Sequence, residues 1–179
     1  MKISRITVII IIVILAIVIV SFLSMPPNLT PETITESIAT MRKYDLFYVY
    51  EVIRYPAYGK VIEPEIVNET LGVGLASSTV SFDFGEVPTN GSYSKRLIII
   101  NNTNNNTVMA SLQAYGNITP LINFERNNII LKKNETDELG VYFLTKVEDE
   151  NMPKGVYRGE IDVVIKRPQY DFLYQFLGW

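Results

Sequence analysis

Residues 79–85, "TVSFDFG", and 95–101, "KRLIIIN", decide how this chain reads. In the first, Val80, Phe82 and Phe84 alternate with small or polar residues. That is the period of a strand with one face in a core. The second is a short, largely apolar run, as a buried strand requires. The stretch after it, "NNTNNNT" (101–107), marks a turn, because asparagine tolerates left-handed backbone. Further along, "TVMASLQAYG" (107–116) alternates Val108, Ala110, Leu112 and Ala114. "NIILK" (128–132) and "ELGVYFLT" (138–145) follow, separated by "KNETD". "GVYRGEIDVVIK" (155–166) puts Tyr157, Ile161, Val163 and Ile165 on one face. Six or seven short strands joined by polar turns predict a mainly β fold, an antiparallel β-sandwich.

Residues 80–103 also resemble the opening of immunoglobulin-like modules of the ASPM-SPD2-Hydin and major-sperm-protein type. Those modules show a Phe-x-Phe-Gly-x-Val strand, a glycine-containing turn, and an apolar strand ending in Asn. Phe82, Phe84, Gly85, Val87, Gly91, Leu97, Ile99 and Asn101 match that outline. The continuation to about residue 166 looks like archaeal cell-surface β-sandwich modules. The resemblance implies an immunoglobulin-like sandwich over 78–167 and a role in adhesion, scaffolding or assembly. It supplies no catalytic residue, since its motifs are structural.

At the other end, residues 6–23 read "ITVIIIIVILAIVIVSFL" and carry no charge. As a helix, they rise about 27 Å, close to the hydrocarbon thickness of a bilayer. Lys2 and Arg5 precede the run, and no further base occurs until Arg42. The positive-inside rule then predicts a single-pass anchor in the cell membrane, with a cytoplasmic N-terminus and an extracellular remainder. "VSFLSMPP" lacks a clean small-x-small cleavage site, so the anchor is expected to be retained. Pro26-Pro27 stops the helix. Thr30, Pro31 and Glu32 then carry the signals of a short helical stalk.

The expected organisation is an anchor (1–25), a stalk or collar (26–43), an aromatic strand and linker (44–77), a sandwich (78–167) and an aromatic tail (168–179). The strand is read over 44–55, "YDLFYVYEVIRY", with Pro56 ending it. Its opening seven residues are echoed by "YDFLYQF" (170–176). Three readings fit the echo: strands that pair aromatic faces, rings at a membrane–water boundary, or a tail offered to a neighbouring subunit as an added strand. The tail's Tyr170, Phe172, Tyr174, Phe176 and Trp179 are the candidate interaction residues.

Composition removes several chemistries. The chain has 179 residues with neither Cys nor His, which excludes disulfides, thiolate zinc sites and the Ser-His-Asp triad. With 16 bases, 19 acids and no basic run, it has no footprint for nucleic acid. Asp83 and Glu86 flank Gly85 as a carboxylate pair, but the alternation turns Asp83 to water. The acidic stretch 148–151 offers oxygen donors without a calcium-loop spacing. No enzyme activity and no cofactor are expected.

One pattern exceeds chance. Seven Asn-x-Ser/Thr acceptors occur, at Asn28, Asn68, Asn90, Asn101, Asn105, Asn117 and Asn134, where about two are expected from composition. All lie after the apolar run and most fall in predicted turns. These readings combine as a membrane-anchored, N-glycosylated extracellular β-sandwich. It would act as an accessory subunit of a surface assembly, binding lipid through 6–23 and another envelope protein or itself. A pilin-like filament subunit with the apolar helix in the filament core is the alternative.

Overall fold

Strand β2 (Tyr48–Ile62) is the spine of the molecule. In the computed structural model, which describes residues 5–63, 81–89, 91–145 and 153–174, one flank of β2 is paired along nearly its whole length. The partner is β9 (Gly155–Pro168), antiparallel from Tyr48↔Pro168 to Val61↔Gly155. Two strands share the other flank. β1 (Ala39–Tyr44) runs antiparallel beside Val49–Arg54, and β3 (Phe82–Pro88) runs parallel beside Ala57–Ile62. The N-terminal ends of β1 and β3 therefore face each other across Tyr55 and Pro56. β5 (Val108–Gly116) pairs the far side of β9, and β7 (Ile129–Leu131) pairs β5. The order of this six-stranded sheet is β1-β2-β9-β5-β7, with β3 beside β2. A second sheet has the order β4-β8-β6, from β4 (Tyr93–Asn101), β6 (Ile122–Phe124) and β8 (Thr136–Leu144).

Alternation places one core between the sheets. From the larger sheet it takes Ala57, Val61, Phe82, Phe84, Leu112, Ile161 and Val163; from the smaller, Ile100, Leu139, Val141 and Phe143. Phe143 is central, 5.5 Å from the Phe84 ring and 6.3 Å from that of Tyr157. A Cβ on Gly59 would stand 2.7 Å from the Phe143 ring, so this ring fills the space that glycine leaves on β2. The outer face of the larger sheet carries Tyr50, Val52 and Val164, covered by Leu29 and Met41.

The structure corrects several sequence expectations. The fold is mainly β, two sheets of six and three strands, and it is not an antiparallel immunoglobulin-like sandwich over 78–167. β2 lies before that range yet is the central strand, and β2–β3 is a parallel pair. The helical stalk is absent. Residues 31–38 form bends, and β1 begins at Ala39. Thr35, in a stretch of good capping residues, instead uses its N–H and hydroxyl on Glu160.

Pro56 does not end the strand either. It falls in the gap between β1 and β3, where no neighbouring ladder on that flank asks for its missing donor. "YDLFYVY" is a strand end, a turn and a strand start. Asp45 Oδ1 accepts from the Phe47 and Tyr48 N–H groups at 2.7 and 2.6 Å.

Residues of the apolar run form helix α1 (Arg5–Leu23), and its side chains from Val8 to Leu23 are exposed. Among the described residues, no helix is long and apolar enough to cross a membrane. The expected anchor falls on this finding. With it fall the cell-membrane topology, the lipid contact through 6–23, the surface-assembly role built on them and the pilin-like filament core.

Candidate functional site

The expected aromatic echo resolves into two neighbouring turns. Tyr48 pairs Pro168, and the next residue, Gln169, donates its N–H to Phe47 O at 2.7 Å. The chain then folds back on itself. Leu173 N–H reaches Tyr170 O at 3.0 Å, and Tyr174 N–H reaches Asp171 O at 3.2 Å. Leu173 points inward and is buried, while Asp171 Oδ1 accepts from Asn106 Nδ2 at 3.2 Å. This leaves Tyr170 and Phe172 outside, 47% and 60% exposed. Their rings stack 5.8 Å apart with 18° between planes. Of the five candidate interaction residues, Tyr170 and Phe172 are thus brought together. Tyr174 is half-buried, and Phe176 and Trp179 lie outside the described residues.

The turn opposite supplies the support. Asp45 Oδ2 accepts the Tyr50 hydroxyl at 2.7 Å. Burial pushes the Tyr50 pKa well up, and the bond to Asp45 adds to it. Lys166 Nζ sits 3.7 Å from the Tyr48 ring centre. Burial pushes this ammonium's pKa down, opposed by Asp45.

A second feature is a cleft of about 570 Å³ where β1 and β3 meet end to end. Ile34, Glu36, Pro56, Tyr58, Ser81 and Arg158 are among its walls. Beside it lies an ionic cluster in the interior. Arg54 donates Nε and Nη2 to the two Asp162 oxygens, each at 2.7 Å, and Nη2 also to Leu29 O at 2.7 Å. Its bond to Asp162 raises the Arg54 pKa against the opposing effect of burial. Glu160 Oε1 accepts from Thr35 N and Oγ1 at 2.5 and 2.7 Å. Glu160 Oε2 has no hydrogen-bond partner among the described residues, although Arg54 Nε stands 3.3 Å away. All three charged side chains are essentially buried. Their fork-to-fork geometry ties the segment 29–35 to the sheet. Sequence reading missed this cluster. The only available signal was a charge at alternate positions in otherwise apolar strands, Arg54 against Glu160 and Asp162.

The other carboxylates hold separate posts. Asp83 Oδ1 accepts the Gly85 N–H at 2.8 Å, and Glu86 pairs Lys60 at 2.7 Å, so they do not converge. The acidic stretch 148–151 lies outside the described residues. Among the described residues, no group of three or more acidic side chains is gathered for a metal ion.

Of the glycan acceptors, Asn105, Asn117 and Asn134 lie in bends or turns, Asn101 ends β4, and Asn28 lies in the irregular segment after α1. Asn28, Asn101, Asn105, Asn117 and Asn134 are all exposed; Asn68 and Asn90 lie outside the described residues. Asn28 Oδ1 accepts the Thr30 N–H at 3.0 Å, and Asn117 Oδ1 accepts the Arg158 N–H at 2.5 Å. Both bonds use the oxygen and leave Nδ2, the atom that carries a glycan, out of them. Asn102, in the middle of the polar run, does the opposite and is buried. Its Nδ2 donates to the carbonyls of Asn106, Leu131 and Lys132, each at 3.0 Å, and so organises the turn.

No family model and no curated protein matches this chain. The resemblance to ASPM-SPD2-Hydin, major-sperm-protein and archaeal surface modules is overturned on both counts, by the mixed strand pairing and by this absence of a match.

Proposed function

We propose that this chain is a non-catalytic recognition module that contacts a protein partner through Tyr170 and Phe172. The observation that carries the reading is the stacked, exposed ring pair on a turn held by Leu173, Asp171 and the Gln169–Phe47 bond. Two large aromatic rings, one of them with a hydroxyl, presented on a fixed turn give contact area at low entropic cost. The reactive groups argue the same way, since Arg54, Glu160 and Asp162 are occupied in holding the fold. The exposed acceptors Asn28, Asn101, Asn105, Asn117 and Asn134 carry N-linked glycans in this reading.

Site-specific photo-crosslinking in the native cell tests it. A crosslinker at position 172 is expected to give one discrete protein adduct, lost when Tyr170→Ser is added. The same crosslinker at position 130, the exposed residue of β7, serves as the control. No adduct from 172, or an equal adduct from 130, would sink the contact. Intact mass of the same material is expected to show added hexose.

A further inference from the structure

The outer face of the three-stranded sheet is built differently from the aromatic turn. Lys95 on β4, Tyr142 on β8 and Asn123 on β6 stand in one row across the three strands. The next row is Leu97, Gly140 and then Glu125, whose N–H bonds Gly140 O at 2.9 Å. Lys95 lies on β4 and Glu125 just past the end of β6, a strand that does not pair β4, yet their side chains meet at 3.1 Å. They meet over Gly140. A Cβ there would stand 2.4 Å from Glu125 Oε2 and 2.6 Å from Lys95 Cε. Glycine thus leaves a shallow hollow in the sheet, and an ion pair lies across it. Lys95 Nζ is also 5.1 Å from the Tyr142 ring centre, and the exposed Tyr93 ring tilts against Tyr142 at 5.8 Å.

We propose that this face binds a pyranose sugar, with Tyr93 and Tyr142 as its stacking surface and Lys95, Asn123 and Glu125 as its hydroxyl-binding groups. A sugar ring has a C–H face and a rim of hydroxyls, each hydroxyl both donor and acceptor. The platform offers that complement. The rings supply polarisable apolar faces. The ammonium, a donor, and the carboxylate, an acceptor, stand side by side for neighbouring hydroxyls, and the Asn123 amide is both. A dry protein interface is the poorer occupant, because interface centres are depleted of charge, whereas an ion pair holds the middle of this face. Leu97 and Ile99 extend the β4 side of the face toward Asn101.

Saturation-transfer NMR on the full chain, produced without glycans so that its own sugars do not compete, tests the site. The probes are the trisaccharides of glucose in α- and β-1,4 linkage, of mannose and of N-acetylglucosamine. At least one is expected to receive saturation on its ring protons, and Tyr142→Ser or Asn123→Ala should weaken that binding about tenfold or more. Tyr170→Ser, in the separate aromatic turn, should leave it unchanged. Should Tyr142→Ser unfold the chain, Glu125→Gln, at an exposed position, carries the same expectation. No transfer to any of the four sugars, or transfer that survives Asn123→Ala and Glu125→Gln, overturns the site.

Discussion

At Arg54, one guanidinium faces two buried carboxylates, and its loss would strand both. Truncating one partner of a buried pair costs about 3–5 kcal/mol, mostly as uncompensated charge. Arg54→Leu is therefore expected to lower unfolding stability by that amount in urea, and Arg54→Leu with Asp162→Leu to recover part of it. A loss under ~1 kcal/mol would show that Arg54 is not holding the segment 29–35. Tyr50 makes a pH prediction. Its folded pKa is raised above the ordinary 10.0, first by burial and then by Asp45. The stabilisation is whole below pH 10.0 and is lost as pH rises toward the folded value, because the unfolded chain releases that proton first. Thermal unfolding midpoints should fall above about pH 10, and Tyr50→Phe should make the fall shallower; an unchanged slope would clear Tyr50 of the effect.

At the scale of elements, period-two reading found β3, β5 and β9 because each has one face in the core, and a short apolar run marked β4. It failed where a tertiary partner outweighed a local signal. Thr30, Pro31 and Glu32 promise a helix, but Glu160 takes Thr35, and β2 offers β1 an edge. Pro56 promises a strand end, but it sits opposite the junction of two strands, a fact that exists only in the folded sheet. The candidate site was legible to the same degree. The echo of Tyr170 and Tyr44 marked two turns joined through Pro168 and Gln169 and not by strand pairing, and their geometry depends on Asp45 and Asp171 bonds that no pattern announces. Helix α1 sits at the other extreme, buried against nothing along Val8–Leu23 and tied by the bond from Leu46 N–H to Leu23 O at 3.1 Å. Removing residues 1–24 should leave the thermal midpoint within a few degrees, a change of about 0.5 kcal/mol or less. It should also reduce self-association in sedimentation, since the exposed apolar surface goes with it. A large drop in the midpoint would mean that the helix supports the sheets.

For the molecule as a whole, the shared core couples the sheets. Phe143 belongs to the smaller sheet, yet Phe84 and Tyr157 of the larger one surround it. Phe143→Ala should cost about 3–5 kcal/mol, the range for a buried aromatic. It should lower one transition seen alike by far-ultraviolet dichroism and tyrosine fluorescence. Two separated transitions would mean that the sheets are independent.

The pairing of β2 with β9 also sets a timetable. The two strands are roughly 100 residues apart, and synthesis runs at ~5–20 residues per second. β2 therefore leaves the ribosome some 5–20 seconds before the strand that covers its long flank. In that interval its open edge is a template for any other extended chain. Whatever receives this protein as it emerges has to keep that edge from the wrong neighbour until β9 arrives.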